Sequence, residues 1–145
     1  MLVLDVNILV AAFRQDHPHH AISRPWWDRL LAAGSPFCVP DTVWTGFARV
    51  VTNSRIFTVP ATASEAFAFV DAVRQQAGYS SVPPIPRLLD LFGEICCTEQ
   101  VGGDLVPDAY IAAVARSLGA AVATFDRDFR RFDHLRTVTP EANEL

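Results

Sequence analysis

The chain has 145 residues, half of them hydrophobic and 19% charged, with a formal net charge of -4 at pH 7. That is one ordinary domain (1–145) with enough apolar material to bury a core, so disorder is excluded, and no apolar run approaches the roughly 18 residues that span a bilayer. The negative balance argues against a protein that holds nucleic acid by bulk electrostatics alone, although a nuclease built on carboxylates is itself acidic.

The N-terminus lacks a basic region and carries Asp5 inside its apolar run, which does not suit a signal peptide, so a cytoplasmic location is expected. Cys38, Cys96 and Cys97 are odd in number and lack C-x-x-C spacing; reduced, mostly buried thiols are expected rather than a zinc site. All twelve basic residues are arginine. Arginine suits bidentate phosphate recognition, but a GC-rich genome gives the same bias.

In chain order, Met1-Leu2-Val3-Leu4 reads as a short strand that delivers Asp5 to its carboxyl end. Asn7 to Arg14 follows as a short helix. Asp16-His17-Pro18-His19-His20 breaks it, and the spacing of the three histidines around a proline favours an exposed turn over a metal site. Ala21 to Ala33 is a second helix, with Trp26, Leu30 and Leu31 on its inner side and Arg24, Asp28 and Arg29 outside. Phe37-Cys38-Val39 is a second strand, and Asp41 is a natural N-cap for a helix running to Thr52.

Thr62 to Gly78 reads as an amphipathic helix burying Ala66, Phe67, Phe69, Val70 and Val73. Ser80 to Pro86 holds a third strand, whose prolines suit an edge. Arg87 to Val101 is helical, and Gly102-Gly103 is a hinge. Pro107 to Leu118 is a helix with proline in its first turn and Gly119 as its stop. Ala121 to Thr124 is a fourth strand, Asp126 to Phe132 a helical turn, and Thr137-Val138-Thr139 a last strand. Strands alternating with helices imply an α/β fold with a parallel sheet covered on both faces.

Such sheets gather chemistry outside the carboxyl ends of their strands. Asp5 ends the first strand; Asp126 and Asp128 follow the fourth; Asp108 lies in the first turn of the helix leading into it. Asp108 could simply answer a helix dipole, and Asp126 and Asp128 could be cap residues. Asp5 is harder to dismiss, because an apolar strand gains nothing from ending in a charge. Together the acids suit a hard divalent cation, which takes one or two carboxylates plus waters and phosphate oxygens.

LVLDVN at the start, FARVVTNSRIF in the middle and VPDAYIAAVARSLGAAVATFDRDF near the end resemble PIN-domain ribonucleases, above all the VapC toxins of bacterial toxin–antitoxin pairs. The resemblance spans the whole chain in order. It implies a three-layer α/β/α sandwich with a five-stranded parallel sheet, and an endoribonuclease dependent on Mg²⁺ (or Mn²⁺) acting on structured tRNA or rRNA. It implies metal ligation by Asp5, Asp108 and Asp126, with Asp128 completing the acidic cluster and Asn7 and Thr124 orienting ligands or water. It also implies a protein antitoxin as partner and a homodimer. RNA preference would come from the groove, with Arg49, Arg127 and Arg130 as candidate contacts.

One position departs from the pattern. Family members carry a glutamate three residues before the arginine that is Arg49 here, and this chain has Gly46. Asp41 lies five residues away, about 7.5 Å along a helix and about 140° around it, so it points elsewhere. Asp104 is the candidate substitute. The gap keeps a second reading open, a catalytically weakened PIN fold that binds RNA or a partner. Two other classes fall behind: a receiver-type phosphotransfer domain needs a lysine, which the chain lacks, and a D-x-D phosphatase needs an acid where Asn7 stands.

Overall fold

Leu2-Val3-Leu4 is an uninterrupted apolar run, and Val3 and Leu4 are both fully buried, as a strand covered on two faces requires. In the computed structural model, which describes residues 1–141, this strand, β1 (Leu2–Leu4), is the centre of a sheet. Its companions are β2 (Phe37–Cys38), β3 (Tyr79–Ser80), β4 (Ala121–Ala123) and β5 (Arg136–Val138), in the order β3-β2-β1-β4-β5 and all parallel. The last residues of the expected 1–145 domain lie outside the described part.

Six helices connect the strands: α1 (Val6–Phe13), α2 (His20–Ala32), α3 (Asp41–Val51), α4 (Ala63–Arg74), α5 (Leu88–Thr98) and α6 (Val106–Leu118). The chain steps outward from β1 to β2 to β3, then crosses back to β4 and on to β5. Right-handed crossovers in opposite directions put their helices on opposite faces. Accordingly α1 packs on both α2 and α3, α3 packs on α4, and α5 packs on α6. This is the α/β/α sandwich expected, and its direction reverses between β1 and β4, where open sheets place their ligands.

Helix α1 buries Ile8 to Ala12 without a break, so it runs inside the molecule rather than along its surface. Gly119 closes α6 at φ +60, a left-handed position that favours glycine. The large aromatic residues fill the core: Trp26, Trp27, Trp44 and Phe47 are all buried, and Phe47 packs against Phe13, Trp44 and Phe69. Among the described residues no helix is long and apolar enough to cross a membrane.

Several local expectations are corrected. The third strand is only Tyr79–Ser80, at the sheet edge as expected; the segment after it, with Pro83, Pro84 and Pro86, forms no ladder because proline has no N–H to donate. Pro40, not Asp41, is the N-cap of α3, which leaves Asp41 as a first-turn acid. Helix α4 stops at Arg74, and Thr62 is its cap, accepting the Glu65 N–H at 3.1 Å. Phe67 is 54% exposed, because the buried face of α4 runs through Ala66, Val70 and Val73. Gly102-Gly103 is no open hinge: Gly103–Leu105 is a 3₁₀ turn feeding α6. Cys38 is buried, with its thiol pushed up to about 11 by that burial, but Cys97 is exposed.

Gly78 sets the approach of β3 to the sheet. Its carbonyl accepts the Phe37 N–H at 2.9 Å, and a Cβ there would meet the Ser35 carbonyl oxygen at 2.3 Å. Two backbones cannot yield as a side chain end can. Gly78→Ala is therefore expected to destabilise the protein by about 1–3 kcal/mol, read as a lower urea midpoint with unchanged slope; an unchanged midpoint would refute the close approach.

Candidate active site

The carboxyl ends of β1 and β4 lie side by side, and the ladder continues past them: the Asp5 N–H donates to the Ala123 carbonyl at 3.1 Å. Asp5 then turns into α1 and is only 6% exposed. Its Oδ1 accepts the Val6 N–H at 2.7 Å, while Oδ2 accepts the Thr124 hydroxyl at 2.7 Å and Asn7 Nδ2 at 2.9 Å. The Thr124 oxygen accepts in return from Asn7 Nδ2 at 3.2 Å and from the Asp126 N–H at 2.9 Å. One donor and two acceptor sites are all a hydroxyl has, so Thr124 is fully committed. Asn7 Oδ1 accepts the Phe125 N–H at 3.2 Å, closing the network.

Asp126 caps the 3₁₀ turn Arg127–Arg131 by accepting the Asp128 N–H at 2.8 Å. The cap reading and the site reading both apply, because Asp126 also lines a cavity of about 890 Å³ together with Asp5, Asn7, Asp104 and Asp108. Arg49, Gly46 and Thr45 from α3 form part of another wall. Among the described residues, the cavity wall is formed without Asp128, Arg127 or Arg130; these lie exposed on the turn that Asp126 begins. Asp41 contributes to a different cleft, as its helical offset from Gly46 predicts.

Electrostatics single out Asp108. It is half-buried in the first turn of α6, and burial followed by the charges of Asp5, Asp126 and Asp128 pushes its carboxyl up to about 7. Every influence acts in that one direction. Asp5 is raised as well, first by burial, although its hydrogen bonds from Thr124, Val6 and Asn7 oppose the shift. Buried like charges brought this close disfavour one another's ionised forms, and a positive charge beside them would favour those forms.

Among the described residues no three His, Cys, Asp or Glu side chains converge tightly enough to enclose an ion by themselves. A hard cation such as Mg²⁺ asks for less, since it keeps waters and takes only one or two carboxylates beside a phosphate. Asp5, Asp108 and Asp126 line one cavity, and the charges of Asp5 and Asp126 are felt at Asp108.

At the gap in the acidic pattern, Gly46 does face the cavity, but a Cβ there would lie 2.9 Å from Val6 Cγ2. Packing by Val6 occupies the place a longer side chain would leave through. Asp104 lines the same cavity from the turn before α6.

His17, passed over in the sequence as part of an exposed turn, is half-buried and lines the cavity. Burial and then His19 push its imidazole below the ordinary value. The three histidines have separate partners: His17 Nδ1 accepts the His19 N–H at 3.0 Å, His20 Nδ1 lies 2.8 Å from the Ala11 carbonyl, and the His19 ring packs on Phe125. No shared metal site exists among them. The H-P-H-H run was the available signal, but which ring reaches the cavity depends on the path of the turn.

Residues 2–135 match the PIN domain family. The chain is 49% identical over 140 residues to ribonuclease VapC31 of Mycobacterium tuberculosis, a match covering 97% of this chain and 99% of the relative. The chain belongs to the VapC ribonucleases of the PIN-domain family. Solved structures of the same fold include VapBC2 from Rickettsia felis bound to a DNA fragment from its promoter, with TM-score 0.69, 17% identity and coverage of 97% and 98% of the two chains. VapC20 of Mycobacterium tuberculosis, described as a toxin cleaving the sarcin-ricin loop, follows with TM-score 0.65, 19% identity and coverage of 94% and 99%.

The raised carboxyl of Asp108 carries a pH signature. The folded VapC protein retains a proton on Asp108 that the unfolded chain releases from about pH 4 upward. Folding stability therefore falls as pH rises through the window from about 4 to 7, and the whole penalty is present above it. In EDTA, Asp108→Asn is expected to melt at a higher temperature than the wild type at pH 8, with the difference closing toward pH 4. Thermal melts across that range check this, and a difference independent of pH would contradict it.

Proposed function

We propose that this chain is a Mg²⁺-dependent endoribonuclease (Mn²⁺ being the close alternative) and the toxin of a toxin–antitoxin pair, hydrolysing phosphodiester bonds in structured tRNA or rRNA. The observation that carries the reading is the cluster of Asp5, Asp108 and Asp126 at the sheet's reversal point, with Asp108 raised by burial and then by its acidic neighbours. The VapC20 neighbour, named for cleaving an RNA loop, supports the substrate class.

Asp5 and Asp108 would hold a divalent cation, which when bound would supply charge neutralisation at the phosphate and acidification of a water molecule. The chain's own contribution is orientation. Thr124 and Asn7 hold the Asp5 carboxylate against rotation, and the burial of Thr124 keeps solvent from competing for those bonds. Asp126, tied to the same hydroxyl through its N–H, is positioned to orient the attacking water, with Asp128 adding negative potential from the turn. In-line attack on phosphorus would expel the 3′-oxygen and leave 5′-phosphate and 3′-hydroxyl ends. Arg49 lines the same cavity as the acids, where it can meet a phosphate. Arg127 and Arg130 are exposed beside the site and suit flanking backbone contacts.

An antitoxin fits the same reading, since the Rickettsia neighbour was solved as a VapBC complex. A second cleft, lined by Trp44, Phe67, Val70 and Ile85, offers it apolar surface. A homodimer and a cytoplasmic location complete the proposal. The alternative, a weakened enzyme acting by binding, is favoured by one observation, the Val6 packing at Gly46.

Incubation of candidate RNAs with and without Mg²⁺ separates the two. The expected outcome is cleavage in Mg²⁺, none in excess EDTA, and none by Asp5→Asn; full activity of that variant, or wild-type cleavage in EDTA, would overturn the metal-dependent mechanism. Thr124→Val, which removes only the orienting hydroxyl, is expected to lose about 10- to 100-fold in cleavage rate. Its measurement at several Mg²⁺ concentrations should show part of the loss recovered by saturating metal.

A further inference from the structure

Beside the acids stands a group of rings that the chemistry above does not use. Phe125 lies between Thr124 and Asp126, and its N–H is held by Asn7, so the network that sets the carboxylates also sets this ring. The exposed His19 imidazole packs on it, with centroids 4.4 Å apart and planes at 40°. The His17 ring follows at 5.6 Å from His19 and enters the cavity wall.

His19 has no evident work in the fold. It is the N-cap residue of α2, yet its side chain makes no capping hydrogen bond. Its backbone N–H, by contrast, is anchored on His17 Nδ1, which fixes the turn and holds the ring where it is. The position is thus exposed and aromatic, and its ring packs on Phe125, the residue that precedes Asp126, a proposed metal ligand.

We propose that His19 and Phe125 form a stacking platform for an unpaired nucleobase next to the scissile phosphate, with His17 as the positioning residue of the turn. The proposal rests on the ribonuclease reading and adds the form of RNA accepted. A net charge of -4 and a carboxylate-lined cavity give little Coulombic attraction for RNA, so affinity needs a contribution independent of charge. Stacking on an aromatic face is such a contribution, open to any base. A base can use it only when out of the helical stack, so a loop or bulge nucleotide is accepted and a continuous duplex is not.

The test uses the full chain in EDTA, with two fluorescent probes: an unstructured RNA oligonucleotide and the same sequence annealed to its complement. Fluorescence polarisation of wild type, His19→Ala, His19→Tyr and Phe125→Leu gives Kd over a range of salt concentrations. The expected result is a loss of roughly 5- to 100-fold for His19→Ala on the unstructured probe, with an unchanged salt slope. Restoration by His19→Tyr and no change on the duplex are expected as well. Because His19 is exposed, its variants should melt with the wild type; Phe125 packs partly against the core, so its variant serves only as confirmation.

Wild-type affinity in His19→Ala, an equal loss on the duplex, or failure of tyrosine to restore binding would each overturn the platform. Cleavage assays in Mg²⁺ distinguish the two levels of failure. If the wild type cleaves RNA and His19→Ala binds and cleaves like it, the platform alone is wrong. If the wild type neither binds nor cleaves candidate RNAs, the ribonuclease reading fails and takes the platform with it.

Discussion

The Thr124 hydroxyl donates to Asp5 Oδ2 at 2.7 Å, a bond between residues 119 apart in sequence. It joins the ends of the two strands at which the sheet reverses direction, and its oxygen also collects the Asn7 amide and the Asp126 N–H. Everything at the site is referenced to this hydroxyl: the rotation of Asp5, the start of the turn that carries Asp126, and, through Asn7, the backbone of Phe125. Buried polar networks of this kind are stable only when every member is satisfied, and among these groups the donors and acceptors match.

Against that ordering force stands the repulsion of the acids. Hydrogen bonds from Thr124, Val6 and Asn7 favour the ionised form of Asp5, whereas Asp108 receives no comparable help and carries the cost of burial beside other carboxylates. The protein thus maintains one carboxylate in a fixed, supported geometry and a second in a frustrated one. Stability lost at such a position is the ordinary companion of function, since the same crowding that weakens the fold prepares the site for a cation.

Much of this was legible in the chain because the signals are local. The apolar run before Asp5, and the proline and glycine that bracket α6, each follow from neighbours a few residues apart. Because those elements bring their acids to one end of a parallel sheet, the acidic set was legible as well. What escaped depended on distant partners. Phe67 and Val70 look alike in sequence, and only the placement of α4 exposes one and buries the other. The third strand was placed too late because two residues suffice for an edge strand, and Tyr79–Ser80 gives too little pattern to stand out from the prolines after it. The contact between His19 and Phe125 spans more than a hundred residues, and no periodicity encodes it.

Gly46 and Val6 face each other across the cavity wall, one without a side chain and the other filling the vacant volume. Their shapes are consequently coupled: a larger residue at 46 meets Val6 Cγ2 first, so its placement is set by how far the Val6 side chain can turn toward the open cavity. An acid at Asp104, on a separate turn, brings negative charge to the same cavity without that adjustment.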